Sequence, residues 1–346
     1  MQRPDRSNIA IVVLVIAGIL LAIGVTTPLA HPILRSLDEV LNPATARTVT
    51  FGADGWLFQK NHARYDCKQL DAPERLADDL AAYVQTLPAG QRRFVLLHPS
   101  KDYVHADRIA AALAEARSPF SRAILSGDVD IHRCAANRYD RDMDALARRL
   151  GDTYFDLRQA LSSRRNETAE ALYYKDDSHW TPATSVFVGS LVLERLHPGL
   201  WQSRDVETRP GMQRVADQAK ELGRDRTFTV TRYVTRRRGV VATVHRVVPR
   251  PASRQPLRVY QNVATDPSMS LYPGRTVIVY DSFFIPNLDA LTPYFADVSW
   301  VFWEDAFTPD MQALIVAADT LVMAGVYRSM SGYARRLSAL ARGDRN

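Results

Sequence analysis

The stretch "RTVIVYDSFF", from Arg275 to Phe284, predicts both a buried strand and the point where the chain turns out of it. Residues Thr276 to Tyr280 form a short apolar run rich in β-branched side chains, which is typical of a fully buried strand. In open α/β sheets, reactive groups gather at the carboxyl ends of the strands. Ser282 follows the strand at such a position and is a candidate nucleophile. The alternative is that Asp281 or Ser282 only caps the next segment.

Strands and helices alternate on both sides of this stretch. Further strands are predicted for "RRFVLLH", "VSWVFW" and "DTLVMAGV", and helices for "APERLADDLAAYVQTLP", "PATSVFVGSLVLERL" and "RSMSGYARRLSALARG". In the second of these helices, Thr181 is a suitable N-cap and Pro182 a suitable first residue. A further helix is predicted from Asp140 to Leu150, ending at Gly151. This alternation predicts an α/β fold with a largely parallel sheet.

The pattern changes between about Ser203 and Leu257. The segment "RTFTVTRYVTRRRGVVATVHRVVPRP" alternates polar and β-branched residues, with Arg236–Gly239 at its middle. We therefore predict an antiparallel β-hairpin inserted into the α/β core. The cluster Arg236–Arg238 has two interpretations. It is either a solvated hairpin tip or a site that contacts an anionic polymer or lipid head groups.

The N-terminus predicts a membrane anchor. Residues 1–8 carry Arg3 and Arg6, and residues 9–30 carry no charge. About 20 apolar residues cross a bilayer as a helix, and basic residues before the span favour the cytoplasmic side. Residues 31–50 would then be a connector, and residues 51–344 one extracytoplasmic domain of a single-pass cell-membrane protein, on the periplasmic or outer face. The alternative is a cleaved signal peptide, for which this apolar segment is long.

Charge and cysteine content narrow the classes of partner and site. The formal net charge is +6, and no nucleic-acid-binding motif accompanies it, so no nucleic-acid partner is predicted. The two cysteines are Cys67 and Cys134. Outside the cytoplasm such a pair is more often bridged than free, so we expect a disulfide. No pair of histidines lies near them, and no zinc site is predicted.

A second candidate for chemistry is "YYKDDSHWTP", from Tyr173 to Pro182. In an extended segment, residues two apart lie on the same side, so Asp177 could orient the imidazole of His179 and leave its other nitrogen free as a base. Asp176 competes for this role, but its side chain would point elsewhere. The same spacing also suits a pair of metal ligands or a structural loop.

Three motifs in the order "GADGWLF", "KDDSHWTP" and "VYDSFF" resemble the alginate O-acetyltransferase family of SGNH-hydrolase-like proteins. In that family the Asp-x-His pair precedes the nucleophile in sequence. The resemblance runs from about Phe51 to the C-terminus and is weakest in the insertion at about 203–257. It implies a three-layer SGNH-hydrolase-like sandwich and a catalytic triad of Ser282, His179 and Asp177.

The resemblance also suggests substrate contacts. Pro99 and Lys101 match a family segment that follows the first core strand, and Trp180 follows the candidate base. Tyr280 stands where the family usually has glycine, so its ring either points into the core or crowds the acyl donor. We expect Trp180, Lys101 and Tyr280 to contact substrate. No metal ion and no other cofactor is expected.

The implied activity is an extracytoplasmic O-acetyltransferase. It would move an acetyl group through an acetyl-serine intermediate onto hydroxyls of a cell-surface or exported polysaccharide. A membrane-bound O-acyltransferase partner would deliver the acetyl donor. Two alternatives stay open at this point, which are a carbohydrate acetyl-esterase and an inactive glycan-binding or assembly protein that keeps the fold.

Overall fold

The structure is a computed structural model that describes residues 48–68, 74–168, 170–250 and 255–343. The predicted membrane anchor, residues 9–30, and the tail before it lie outside these residues. Among the described residues, no helix is both long enough and apolar enough to cross a membrane.

Strands and helices alternate through most of the described chain, as predicted. The strands are β1 (Val49–Phe51), β2 (Leu57–Gln59), β3 (Arg92–His98), β4 (Val206–Val215), β5 (Thr227–Thr235), β6 (Val240–Val248), β7 (Leu257–Ala264), β8 (Tyr272–Tyr280), β9 (Phe295–Phe302) and β10 (Thr320–Val326). The helices are α1 (Lys60–Lys68), α2 (Arg75–Thr86), α3 (Lys101–Val104), α4 (Ala106–Glu115), α5 (Pro119–Leu150), α6 (Arg158–Glu167), α7 (Pro182–Leu196), α8 (Asp217–Glu221), α9 (Asn287–Leu291), α10 (Pro309–Val316) and α11 (Tyr327–Ala341).

A six-stranded sheet forms the centre, in the spatial order β3-β10-β8-β9-β7-β6. The neighbours from β3 to β9 run parallel, whereas β7 and β6 are added antiparallel at one side. Because the carboxyl ends of β3, β8, β9 and β10 share one edge, the residues that follow β8 lie at the edge where sites form in such sheets.

The sheet is buried on both faces. Along β3, Phe94 and Leu96 join one apolar cluster with residues of α4, α6, α7 and α9. Val95 and Leu97 join a second cluster with residues of α2, α5, α10 and α11. Successive side chains of a strand point to opposite faces, so the parallel strands read as continuous apolar runs. The result is the three-layer α/β arrangement that the sequence predicted.

The start of α7 matches its sequence signals. Thr181 is the N-cap, its Oγ1 accepts the N–H of Thr184 at 3.3 Å, and Pro182 is the first helical residue. This cap fixes the chain just before it, where His179 lies. Helix α5 is longer than predicted, because it begins at Pro119 after the N-cap Ser118 rather than near Asp140.

The inserted hairpin predicted for residues 203–257 is wrong. Strand β5 pairs with β4 in a separate two-stranded sheet, whereas β6 pairs with β7 at the edge of the main sheet. The segment Arg236–Gly239 therefore connects two sheets instead of turning between paired strands. Gly239 has a φ of +81°, and a Cβ there would lie 2.5 Å from the side chain of Asp266, so the position requires glycine.

The arginine cluster at this crossing is solvated only in part, since Arg236 and Arg238 are exposed and Arg237 is not. Arg237 is buried, its guanidinium lies 4.5 Å from the ring centroid of Tyr294, and it donates to the carbonyl of Pro293 at 3.2 Å. The interpretation of Arg236–Arg238 as a free anion-binding cluster therefore fails at Arg237. Its charge is used to attach the crossing to the core.

The β4–β5 pair contains a bulge. Its register shifts between Pro210 and Gln213. A Cβ on Gly211, inside the bulge, would lie 2.0 Å from the carbonyl oxygen of Val230. Only glycine permits this approach of the two backbones. The small sheet is held to the core by Thr235, which donates to the carbonyl of Ala290 at 2.6 Å.

Cys67 of α1 and Cys134 of α5, the pair expected to be bridged, form a disulfide across a sequence separation of 67. The double substitution Cys67→Ser/Cys134→Ser is expected to lower the free energy of unfolding by roughly 4 kcal/mol, because a closed loop of this length restricts the unfolded chain. Urea unfolding monitored by circular dichroism measures the difference. Reduced wild-type protein is the control and should match the variant. A variant as stable as the oxidised wild type would contradict the prediction.

Candidate active site

The turn after β8 places Ser282 at the carboxyl edge of the sheet. The Asp281 carboxylate accepts the N–H of Val326 at 2.6 Å and the N–H of Phe283 at 3.0 Å, so it joins the turn to the end of β10. Burial alone would raise the pKa of Asp281, but nearby His98 and these two N–H groups lower it below its usual value. The ionised carboxylate therefore fixes the backbone on both sides of Ser282.

The structure brings Ser282, His179 and Asp177 together in one hydrogen-bonded chain. The distance from Ser282 Oγ to His179 Nε2 is 2.9 Å, and the distance from His179 Nδ1 to Asp177 Oδ1 is 2.7 Å. The two histidine nitrogens thus have separate partners, which is the arrangement of a serine nucleophile, a base and an orienting carboxylate. Of the two interpretations of Ser282, the geometry favours the nucleophile over a simple cap.

The environment of Asp177 keeps it ionised. Its side chain is fully buried, and its oxygens accept the backbone N–H of His179 at 2.9 Å and that of Asp217 at 3.0 Å. Burial alone would raise the pKa of Asp177, but the hydrogen bonds and charge of His179 and the Asp217 N–H lower it to about 2. A carboxylate of this kind can orient the imidazole and stabilise the imidazolium that forms during catalysis.

Asp176 lies outside this chain, as predicted from its position next to Asp177. Its carboxylate is 3.4 Å from the exposed guanidinium of Arg226, and its carbonyl accepts the N–H of Ala219. The geometry therefore agrees with the choice of Asp177 as the orienting carboxylate.

Lys101 was expected to contact substrate, and this expectation is wrong. The side chain is buried behind the loop that carries Asp177. Its Nζ donates to the carbonyls of Lys175 at 2.7 Å and Asp177 at 3.1 Å, and to Gln218 Oε1 at 2.8 Å. Burial lowers the pKa of Lys101 to about 7, against the opposing charges of nearby aspartates. Lys101 is a positioning residue that fixes the loop before His179.

Lys101→Met is expected to lower kcat by about 10²-fold, because two carbonyls of the loop lose their donor and the base shifts relative to Ser282. KM should change little, since the side chain does not face the pocket. Steady-state kinetics with an acetyl ester measures both constants. Lys175→Met is the matched control, since this exposed lysine lies on the same loop and its Nζ is 3.5 Å from the carbonyl of Asp54. Equal rates for both variants would contradict the role of Lys101.

Trp180 and Tyr280, the other two expected substrate contacts, also belong to the core. Trp180 is 2% exposed, and its indole N–H donates to the carbonyl of Phe283. Tyr280 is 0% exposed, and its ring packs edge-on against Trp300 and Phe302. As the last residue of β8, Tyr280 points inward, so it neither contacts substrate nor crowds Ser282. Tyr280 therefore does not reach the pocket, and Trp180 reaches it only with its 2% exposed surface.

Ser282 and His179 open into a pocket of about 720 Å³. One wall is formed by β4 and β5, through the bulge at Pro210–Arg214 and residues Val230–Arg232, and the other by the chain after Ser282. Arg214 and Asp217 beside Asp177 and His179 were missed from the sequence, because they lie in the segment where the resemblance is weakest. The alternating pattern that predicted strands begins only at Arg226, so no sequence signal placed these two residues at the site.

A pair of metal ligands was an alternative interpretation of Asp177 and His179. Ligand atoms of Asp177, His179 and Asp217 lie within 4.8 Å of one another. Each of these groups already has hydrogen-bond partners, since the imidazole bridges Asp177 and Ser282, and Asp217 Oδ1 accepts the N–H of Ser178 at 2.7 Å. The guanidinium of Arg214 also lies 3.0 Å from His179 Nδ1, where it would repel a cation. The donor set fits a proton-transfer chain better than a metal centre.

Comparison with known proteins agrees with this fold. The sequence model of the family described as "SGNH hydrolase-like domain, acetyltransferase AlgX" matches residues 49–255. The chain belongs to this family. The match covers more than half of the chain and contains Asp177 and His179, whereas Ser282 lies beyond it. The family resemblance inferred from the three motifs is thereby confirmed.

Solved structures resemble this chain at low sequence identity. A DHHW family protein from Eubacterium siraeum DSM 15702 is 13% identical, with a TM-score of 0.52, over 83% of this chain and 98% of that chain. Bacillus cereus PatB1 with a sulfonyl adduct is 13% identical, with a TM-score of 0.50, over 82% and 95%. The O-acetyltransferase domain of Pseudomonas putida AlgJ is 15% identical, with a TM-score of 0.49, over 84% and 98%. No curated protein sequence matches the chain significantly.

Proposed function

We propose that this protein is an O-acetyltransferase that transfers acetyl groups through an acetyl-Ser282 intermediate onto hydroxyls of a polysaccharide. The observation that carries the proposal is the hydrogen-bonded chain from Asp177 through His179 to Ser282, open to a pocket of about 720 Å³. Membership in a family of acetyltransferases supports the type of group transferred.

The geometry supports a two-step reaction. In the first step His179 Nε2 takes the proton of Ser282 as Oγ attacks the acetyl carbonyl, and Asp177 stabilises the resulting imidazolium. The tetrahedral intermediate collapses, the leaving group takes the proton from His179, and acetyl-serine remains. In the second step a sugar hydroxyl gives its proton to His179 and attacks the acetyl carbon. The serine oxygen then leaves, and Ser282 recovers its proton.

An aromatic wall of the pocket is suited to holding the sugar. Tyr174 lines the pocket, is partly exposed, and packs with its ring centroid 4.3 Å from that of Phe228 on β5. Aromatic rings offer an apolar face, and a hydroxyl placed beside the acetyl-serine competes with water by proximity. We assign to Tyr174 the sugar contact that the sequence suggested for Trp180.

The proposal includes a location and a source of acetyl groups. The uncharged residues 9–30 favour a membrane anchor with the catalytic domain outside the cytoplasm. The disulfide between Cys67 and Cys134 is typical of oxidising compartments and supports the same side. A membrane-bound O-acyltransferase partner would then supply the acetyl group from the cytoplasm.

The test uses the full chain, solubilised in detergent, with 4-nitrophenyl acetate as donor and oligosaccharides as acceptors. We expect acetylated oligosaccharide in the mass spectrum, and none with Ser282→Ala. If acetate is released and the addition of an acceptor oligosaccharide does not reduce that release, the protein is an esterase instead. Transfer that persists in Ser282→Ala would overturn the acetyl-serine mechanism. The anchor is tested separately, by whether the protein stays in the membrane fraction after a carbonate wash.

A further inference from the structure

The turn around Ser282 supplies one free backbone donor to the reacting carbonyl. Among the described residues, no acceptor lies within hydrogen-bond distance of the Ser282 N–H. The next two N–H groups are already used, because Phe283 donates to Asp281 Oδ1 and Phe284 donates to the carbonyl of Asp281, both at 3.0 Å. Acyl transfer through a tetrahedral oxyanion gains most from two or more fixed donors. A second donor must therefore come from another part of the pocket.

Arg214 of β4 is a cation in direct contact with the candidate base. Its Nη2 lies 3.0 Å from His179 Nδ1 and 3.2 Å from His179 Nε2. The in-plane positions of both nitrogens are taken by Asp177 and Ser282, so the guanidinium lies over the face of the imidazole. Nε2 is also the atom that holds Ser282 Oγ at 2.9 Å, so Arg214 and the nucleophile flank the same nitrogen.

The guanidinium keeps donors available for a ligand. Arginine has five N–H donors, and the Nε of Arg214 is 4.0 Å from Asp177 Oδ2, too far for a hydrogen bond. The side chain is 39% exposed and lines the pocket. Two other donors of the pocket are engaged, since Gln213 donates to Thr229 Oγ1 at 2.7 Å and Arg232 to Asp289 Oδ2 at 2.7 Å.

The charges around the imidazole explain why a cation can lie against the base. Asp177 Oδ1 is 2.7 Å from His179 Nδ1, and Asp217 Oδ2 is 3.6 Å from the same atom. On the positive side, Arg328 donates to Ser178 Oγ at 3.0 Å, next to His179 in the chain. The negative charges of two carboxylates thus balance the positive charges of Arg214 and Arg328. The cluster can therefore stabilise the imidazolium that forms when Ser282 loses its proton.

We propose that Arg214 is the second oxyanion donor of this enzyme, acting with the Ser282 N–H on the carbonyl oxygen of the acetyl group. When Oγ bonds to the acetyl carbon, the C=O electron pair moves onto the oxygen, and an Nη2 hydrogen of Arg214 stabilises that charge. The C=O bond re-forms as the leaving group departs with the proton from His179. The proposal rests on the proposed acetyl-serine chemistry.

Arg214→Gln is expected to lower kcat for acetyl-ester turnover by about 10²- to 10³-fold with little change in KM, as for loss of one oxyanion donor. Arg214→Lys should be intermediate, because lysine keeps the charge but not the planar fork. Arg209→Gln is the matched control on the same strand, since Arg209 pairs with Glu207 at 3.4 Å and does not line the pocket. It should behave as the wild type.

A second measurement does not need acetyl turnover. The rate at which methanesulfonyl fluoride labels Ser282, followed by intact mass, should fall in Arg214→Gln in step with kcat and stay unchanged in Arg209→Gln. A labelling rate unaffected by Arg214→Gln, or a rise in KM with kcat unchanged, would overturn the proposal. If the wild type is labelled at Ser282 but transfers no acetyl group, the proposed function fails while the role of Arg214 is still decided by labelling.

Discussion

Ser282→Ala is expected to lower the rate of acetyl transfer by on the order of 10⁶-fold, the scale on which loss of a serine nucleophile acts in other triad enzymes. Without Oγ there is no atom to carry the acetyl group, and His179 loses the partner that it holds at 2.9 Å. KM for the donor should change little, because the pocket walls stay in place. The acetyl-ester assay measures kcat, and the wild type alone should gain an acetyl group in its intact mass.

The matched control is Ser190→Ala. Ser190 lies on α7, and its hydroxyl donates to the carbonyl of Phe187 one turn earlier, away from the pocket. This variant should keep wild-type kinetics. Both variants should unfold near the wild-type midpoint, since neither removes apolar core area. Turnover in Ser282→Ala within tenfold of the wild type would show that the acetyl group is carried elsewhere.

Asp177→Asn is expected to lower kcat by about 10⁴-fold. An amide at this position can donate to His179 Nδ1, which favours the tautomer with the proton on Nε2, and that tautomer cannot accept the proton of Ser282. Asp177 is fully buried and its pKa is held at about 2, so the loss should be the same across the neutral pH range. The measurement is kcat for acetyl-ester turnover between pH 6 and 8.

Asp176→Asn is an unusually close control, because it makes the same chemical change one residue earlier. Asp176 pairs with the exposed Arg226 at 3.4 Å, and a surface pair of this kind contributes little to stability. Its kcat should stay within about twofold of the wild type. If Asp176→Asn lost activity as strongly as Asp177→Asn, the assignment of the orienting carboxylate would be wrong.

Local signals were enough to predict the parallel core. The apolar run that ends at Tyr280 predicts a strand, and the Thr181–Pro182 pair predicts the start of a helix. Both β8 and the start of α7 were therefore found where they were expected. The start of α5 was missed although Ser118 and Pro119 form a start signal, because its buried face carries Asp128 and His132 and shows no continuous apolar stripe.

Strand pairing could not be predicted in the same way. The strands β5 and β6 follow each other with a short connection, which favours a hairpin on local grounds. Their partners, β4 and β7, are set by burial of Arg237 and by the packing of Thr235 against the core, and neither contact is visible in sequence. Strand pairing depends on residues far apart in sequence, and the hydrophobic periodicity of one strand does not identify the strand that it pairs with.

The same difference between local and non-local information applies to the candidate site. Spacing made Asp177 and His179 a candidate pair, and the position after a buried strand made Ser282 a candidate nucleophile, but only the family resemblance joined the three into one site. Lys101, Trp180 and Tyr280 were expected to contact substrate but are buried, since sequence does not show which way a side chain points.

The bulge at Gly211 lies in the small sheet that forms one wall of the pocket. The α/β core carries Asp177, His179 and Ser282, whereas the wall of the pocket comes from a two-stranded sheet whose backbones meet at a position that only glycine allows. Under the proposed function, the wall that would hold the acceptor and the residues that would carry out acyl transfer therefore come from two separate sheets.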